Sequence, residues 1–234
     1  MQDELSPPER SGGDAAYAVA KAAIGSVPLV GSAGAELFAY VVTAPFEKRR
    51  EKWMKDVGDT LAELRDRKAI DVDGLRDNAA FTDVVLSATQ AALRTEDATK
   101  REALRNAVTN AALPNHPSEA VQQTYVRYVD ELTSWHLRIL DLFDDPVKWQ
   151  ARNFHAIPEL YAGGLSHILE HAFPQLQGQR DLYDQLWRDL HARGLVGTDS
   201  LHGTMTGRGL LESRTTPGGR RFLQFIRDPL RAAS

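Results

Sequence analysis

The sequence has no cysteine, which excludes disulfides, thiolate nucleophiles and cysteine-ligated metals together. It therefore fits a reducing compartment, and we read it as cytoplasmic. A secretory start is missing too: residues 1–13 (MQDELSPPERSGG) carry acids where a basic region would stand, and read as disordered. No stretch supplies the ~20 unbroken apolar residues of a bilayer-spanning helix. Excess charge of one sign is also lacking. The formal net charge is −4 over 234 residues, so any attraction to nucleic acid or anionic lipid must come from a local patch.

Signatures of chemistry are equally scarce. Gly31-Ser32-Ala33-Gly34 has neither the lysine nor the spacing of a phosphate-binding loop. The run from Gly203 to Gly209 (GTMTGRG) does not lead from a strand into a helix, as a dinucleotide fingerprint must. There is no G-x-S-x-G elbow. His167-Ile168-Leu169-Glu170-His171 matches H-x-x-E-H, with both histidines on one side of a helix. Yet the distant glutamate of that enzyme class has no place in the 63 residues that follow. An amphipathic helix burying Leu165, Ile168, Leu169 and Phe173 explains the pattern more simply. No catalytic residue, cofactor or metal is expected.

What the chain does contain is ordinary globular material, 42% hydrophobic and 26% charged, enough for a real core. Residues 15–44 are the unusual part, with Lys21 and Glu36 as their only charges and Gly25, Pro28, Gly31 and Gly34 as interruptions. Two short helices, at about 14–24 and 33–42, joined by a glycine-rich corner are expected. Pro45 should then reset the chain before a charged helix over 46–68, whose Trp53, Val57, Leu61 and Leu64 form one stripe.

After a loop at 71–74 come helices at 81–93 and 96–112, the second with Thr95 as its expected N-cap. Leu113-Pro114-Asn115-His116-Pro117 is the expected domain boundary. Further helices are expected at 118–132, 135–143 (stopped by Asp144-Asp145-Pro146), 159–173 and 180–193. Gly194 should cap the last of these. A glycine- and threonine-rich hairpin over 195–216 and a short helix opened by Thr216-Pro217 complete the pattern. Trp135, Trp149 and Trp187 fall on core-facing helix positions.

Helices, a glycine-rich hairpin and a closing helix follow the order of a winged helix. The wording of residues 132–228 also resembles bacterial members of that family. LTSWHLRILDLF (132–143) looks like their first helix, LWRDLHARGLV (186–196) like the recognition helix entering the wing, and TTPGGRRFLQFI (215–226) like the segment after it. Across the whole chain, SVPLVGSAGAELF (26–38), PFEKRREKW (45–53) and the same C-terminal wording resemble bacterial helical proteins of the abortive-infection alpha type. That resemblance implies a role in phage defence or regulated self-inhibition and carries no functional residues with it.

The expected architecture is therefore mainly α: a multi-helix N-terminal bundle over 14–113, then a winged-helix-like module over 118–230 with a small β-hairpin. Two functional readings stay open. One is a non-enzymatic bacterial regulator or effector, acting on a protein partner, by self-association, or conditionally on a membrane. Its candidate contacts are Gly31, Gly34, Leu37, Phe38, Lys48, Arg49 and Arg50. The other is a nucleic-acid-binding transcriptional regulator. The expected recognition helix offers Arg180, Arg188 and Arg193 against Asp181, Asp184 and Asp189, which cancel. The segment 201–234 is net +4, and Arg208, Arg214, Arg220 and Arg221 are its candidate phosphate contacts.

Overall fold

The structure, a computed structural model, describes residues 32–154 and 161–232. The helix expected at 14–24 and candidate contact Gly31 lie outside the described residues. The chain divides into two compact units, Met1–Lys48 and Arg49–Ser234. Among the described residues no helix is long and apolar enough to cross a membrane.

In the first unit the described part is the beginning of α1 (Ser32–Asp66), whose backbone carries Gly34, Leu37 and Phe38. Pro45 does not reset the chain as expected, because α1 runs straight through it. A proline costs a helix one ladder bond and some crowding of the preceding turn. Here the apolar stripe beyond it outweighs that cost: Trp53 and Leu64 are buried in the second unit.

The second unit owes its helix starts to short polar caps. Asp71 accepts from the Asp73 N–H (3.2 Å) and opens α2 (Val72–Arg76), where a loop was expected. Asn78 accepts from the Phe81 N–H (3.0 Å) and opens α3 (Ala79–Arg94). Asp97, not Thr95, caps α4 (Ala98–Ala112) by accepting from the Lys100 N–H at 3.1 Å. Thr95 instead accepts from the Asp97 N–H (3.1 Å) and positions that cap. α3, α4 and α5 (Glu119–Glu131) pack together over small side chains, Ala88, Ala91, Ala103, Ala107 and Ala111 all being buried. Small residues let helix axes approach closely.

The segment 113–117 does not divide the unit. Buried Gln122 donates to the Pro117 carbonyl (2.7 Å), and Lys100 donates to the Asp130 carbonyl (2.7 Å). α6 (Ser134–Asp144) follows, then α7 (Pro146–Asn153), a helix the sequence reading did not assign. The Asp145 carboxylate accepts from the Lys148 N–H (3.0 Å), and Pro146 stands at the first helical position, where a missing N–H costs nothing. α8 (Leu165–Ala172), a 3₁₀ turn (Pro174–Leu176) and α9 (Arg180–Ala192) come next. Gly194, at φ +67°, turns the chain out of α9 as expected.

The expected hairpin over 195–216 is replaced by two separate antiparallel contacts. Val196 bridges Thr215 at the ends of the segment. Inside it, β2 (Met205–Thr206) pairs with β1 (Ala162–Gly163), a strand that precedes α8, so the sheet is not a hairpin. A helical turn, α10 (Gly207–Leu210), fills the space between. The physical reason lies in Leu201: it is buried and its carbonyl accepts from the Ser166 N–H (3.0 Å), which draws the segment onto α8.

α11 (Pro217–Ile226) and a final turn, α12 (Pro229–Ala232), close the unit. The α11 N-terminus rests on Leu195, where Gly219 leaves no room for a side chain: a Cβ would stand 2.0 Å from the Leu195 carbonyl oxygen. At its other end two asparagines of α4 hold α11. Asn106 donates to the Ile226 carbonyl (3.0 Å), and Asn110 to those of Phe225 and Arg227 (2.9 Å each). One continuous apolar core runs from Trp53 to Ile226. The described fold is mainly helical with one small two-stranded antiparallel sheet.

Candidate functional site

The four arginines nominated as phosphate contacts do not form one cluster. Arg214 is half-buried and turned inward, its guanidinium donating to the Gly209 carbonyl and contacting Met205 Sδ (3.1 Å). Arg220 is exposed and leans toward Asp144 (3.8 Å) and the Ser213 hydroxyl (3.4 Å). Only Arg208 and Arg221 are exposed and without a carboxylate partner among the described residues.

Of the three α9 aspartates counted against Arg180, Arg188 and Arg193, two are engaged. Asp184 accepts from His202 Nε2 (2.7 Å) and lies 3.5 Å from Arg180. Asp189 accepts from Gln185 (2.9 Å) and from His136 Nε2 (3.4 Å). His136 is buried, and its Nδ1 accepts the Thr133 N–H (3.0 Å). Burial holds its pKa below the ordinary 6.5 although the Asp189 contact pulls the other way.

Of the basic contacts nominated on α1, Lys48 is exposed, while Arg49 and Arg50 are half-buried. Arg49 Nε pairs with the Glu96 carboxylate and its Nη1 donates to the Leu93 carbonyl (3.4 Å). That arginine joins α1 to the α3–α4 turn. The H-x-x-E-H residues also have structural tasks. His167 Nδ1 accepts from the Gly164 N–H (3.3 Å) at the start of α8, and Glu170 accepts from the Tyr183 hydroxyl (2.9 Å). Burial, with Glu170 beside it, pushes the Tyr183 pKa up to about 12. No group of three potential metal ligands exists among the described residues.

A concavity lies elsewhere, on α4, α6, α7 and α11. It is a groove of about 690 Å³. Its floor is apolar: Trp149 and Phe173 are buried and meet edge to face at 5.5 Å, beside Leu137, Leu223 and Ile226. Its rim is charged. Arg152 donates to Asp141 (3.0 Å), and Arg227 donates to Asp141 (2.7 Å) and to Asp144 (2.8 Å). Burial opposes the Arg227 cation, but the bonds to these two carboxylates more than offset it and raise its pKa. A second concavity of about 590 Å³ continues past Arg152 and Arg227 to Lys148 and Arg220.

Arg138 completes the rim differently. Its guanidinium lies over the Trp135 ring (4.3 Å) and the Phe173 ring (4.8 Å). It has no carboxylate partner among the described residues.

The sequence reading missed this groove because it missed α7, which supplies Trp149, Arg152 and Asn153. The available signal was Asp145-Pro146: an aspartate before a proline ends one helix and caps the next equally well. Trp135, Trp149 and Trp187 do pack against the core as expected, but Trp149 also floors the groove. No protein-family model, curated protein or solved structure matches the chain.

Proposed function

We propose that this chain is a non-enzymatic binding protein, a regulator or effector whose C-terminal unit docks a partner protein in the groove over Trp149 and Phe173. The observation that carries the reading is the groove's make-up, a buried aromatic floor inside an arginine rim. Apolar anchors surrounded by polar groups, with aromatics and arginine enriched, are how protein interfaces concentrate their binding energy. The abortive-infection resemblance suggests bacterial defence as the setting. The order α6, α7, β1, α8, α9, β2, with α7 as an addition, supports a winged-helix-like reading of the same unit, used here for assembly rather than for reading bases.

Co-purification of the full chain from its own cells tests the proposal. The charge-reversed double variant Arg138→Glu, Arg152→Glu alters two exposed side chains outside the apolar core, and a helical circular dichroism spectrum and thermal unfolding check that it stays folded. A specific partner held by the wild type and by Arg188→Glu, but lost from the groove variant, is the expected result. A partner retained by the groove variant and lost from Arg188→Glu overturns the proposal.

A nucleic-acid role is the second reading, and exposed Arg208 and Arg221, without carboxylate partners among the described residues, favour it. α9 itself adds no surplus, since Arg180 lies on Asp184 and Arg193 on Glu131. A gel shift at low salt that steepens with dilution of salt and is lost in Arg208→Glu, Arg221→Glu supports this reading. No shift at low salt ends it. Conditional membrane contact through residues 14–44 is the least supported route, since Arg49 is already committed to Glu96.

A further inference from the structure

We infer that the concavity between α7 and α11, the one of about 590 Å³ beyond Arg152 and Arg227, binds a linear oligophosphate, free or as the tail of a nucleotide. This site is independent of the docking role: Lys148, Arg220 and Gln224 line it and do not line the groove over Trp149.

The charges around it are unequal. Lys148, Arg152, Arg220 and Arg227 line it against Asp144 and Asp145 alone. Glu212 stands between the lining residues Leu211 and Ser213 without lining the site itself. If Asp141 is added, because it takes Arg152 and Arg227 from the neighbouring groove, four cations still face three carboxylates.

Burial sharpens the imbalance. Asp144 is 10% exposed and spends both oxygens inward, Oδ1 on the Thr215 hydroxyl (2.8 Å) and Oδ2 on Arg227 (2.8 Å). Asp145 is used by the Lys148 N–H as a helix cap (3.0 Å). Lys148, Arg220 and Arg152 are 80%, 53% and 50% exposed, so a solute arriving from water meets the cations first. Their present bonds yield easily. Lys148 Nζ lies 3.2 Å from Asp145 in an exposed pair, which is worth little in water. Arg220 is 3.8 Å from Asp144 and 3.4 Å from the Ser213 hydroxyl, both longer than a good hydrogen bond.

The placement of the donors sets the ligand class. Lys148 and Arg152 come from α7, Arg220 and Gln224 from α11, and Ser213 from the segment before it. Donors converging from three elements suit a phosphoryl group, which presents three acceptor oxygens on different sides, better than a planar carboxylate. The volume is that of a ligand larger than one phosphate. Leu211 is the only apolar lining residue, so a chain of phosphoryl groups fits while an aromatic ring finds nothing to stack on.

Isothermal titration calorimetry of the full chain with sodium tripolyphosphate at low ionic strength tests the site. The double variant Lys148→Gln, Arg220→Gln is the binding variant, and Arg188→Gln on α9 is the control. All three positions are exposed, and circular dichroism checks that the variants are folded. Expected is saturable binding that weakens as salt rises, falls roughly tenfold or more in the double variant and is unchanged in the control. Adenosine triphosphate should bind about as tightly as tripolyphosphate, because no ring pocket adjoins the cations. Absence of saturable binding, or binding that the double variant keeps, overturns the site. Citrate binding as tightly as tripolyphosphate, or a preference for adenosine triphosphate of roughly tenfold or more, overturns the assignment to a linear oligophosphate.

Discussion

Arg227, just past the end of α11, places Nη2 2.7 Å from Asp141 Oδ1 and 2.8 Å from Asp144 Oδ2, both on α6. One cation thus ties the end of α11 to the wall of the groove. Asp144 is only 10% exposed, so removing Arg227 leaves a carboxylate in a poor solvent. Arg227→Met should cost about 1–2 kcal/mol, the low end for charged hydrogen bonds because the guanidinium is partly exposed and screened. Urea unfolding measures this. A change within about 0.5 kcal/mol, the scatter of ordinary surface substitutions, would show the bridge to be incidental.

The two neighbouring glycines at the start of α11 should behave oppositely. Gly219→Ala drives a Cβ into the Leu195 carbonyl and should destabilise by about 3 kcal/mol, since neither backbone can yield cheaply. Gly218→Ala meets nothing closer than 3.5 Å and should be neutral or slightly stabilising. Thermal unfolding of the two variants side by side decides the matter, and equal stabilities contradict the packing described for Leu195.

His136 links stability to pH with a definite sign. Burial lowers its folded pKa below 6.5, so the fold prefers the neutral ring. The stabilising contribution is present above pH 6.5 and is lost as pH falls through the lowered folded value, because the unfolded chain takes up the proton first. Urea midpoints should therefore decline from pH 7.5 to pH 5, and the decline should be shallower in His136→Gln. Parallel pH profiles for the two proteins would contradict this.

The asparagine clamp predicts how the chain unfolds. Asn106 and Asn110 tie α4 to carbonyls more than a hundred residues away, across the segment 113–117. Residues on both sides of that segment should unfold in one transition. Asn106, 4% exposed, should cost about 1–3 kcal/mol when replaced by leucine, as its acceptor on α11 is left unmet. Hydrogen exchange that shows α3–α5 and α6–α11 opening at separate denaturant concentrations would overturn the clamp.

These residues also mark where sequence stops being informative. The helix periods of α5, α6 and α9, the glycine after α9 and Thr216-Pro217 before α11 were legible because each is a local signal repeated or capped within a few residues. Pro45 misled because its local cost was outweighed by Trp53 and Leu64, a tertiary effect. The hairpin misled because turn-rich composition says nothing about partners, and Leu201 chose α8. The groove was illegible for the same reason. Nothing near Asn106 announces the Ile226 carbonyl, and nothing near Asp189 announces His136.

The most direct test of the account is a photo-cross-linking amino acid placed at position 102, on the exposed edge of the groove, in the full chain in its native cell, with position 185 on the exposed face of α9 as the comparison. A discrete adduct with a partner protein at position 102, absent at 185 and abolished by Arg152→Glu, is what the account predicts. An adduct formed at 185 but not at 102 would contradict it.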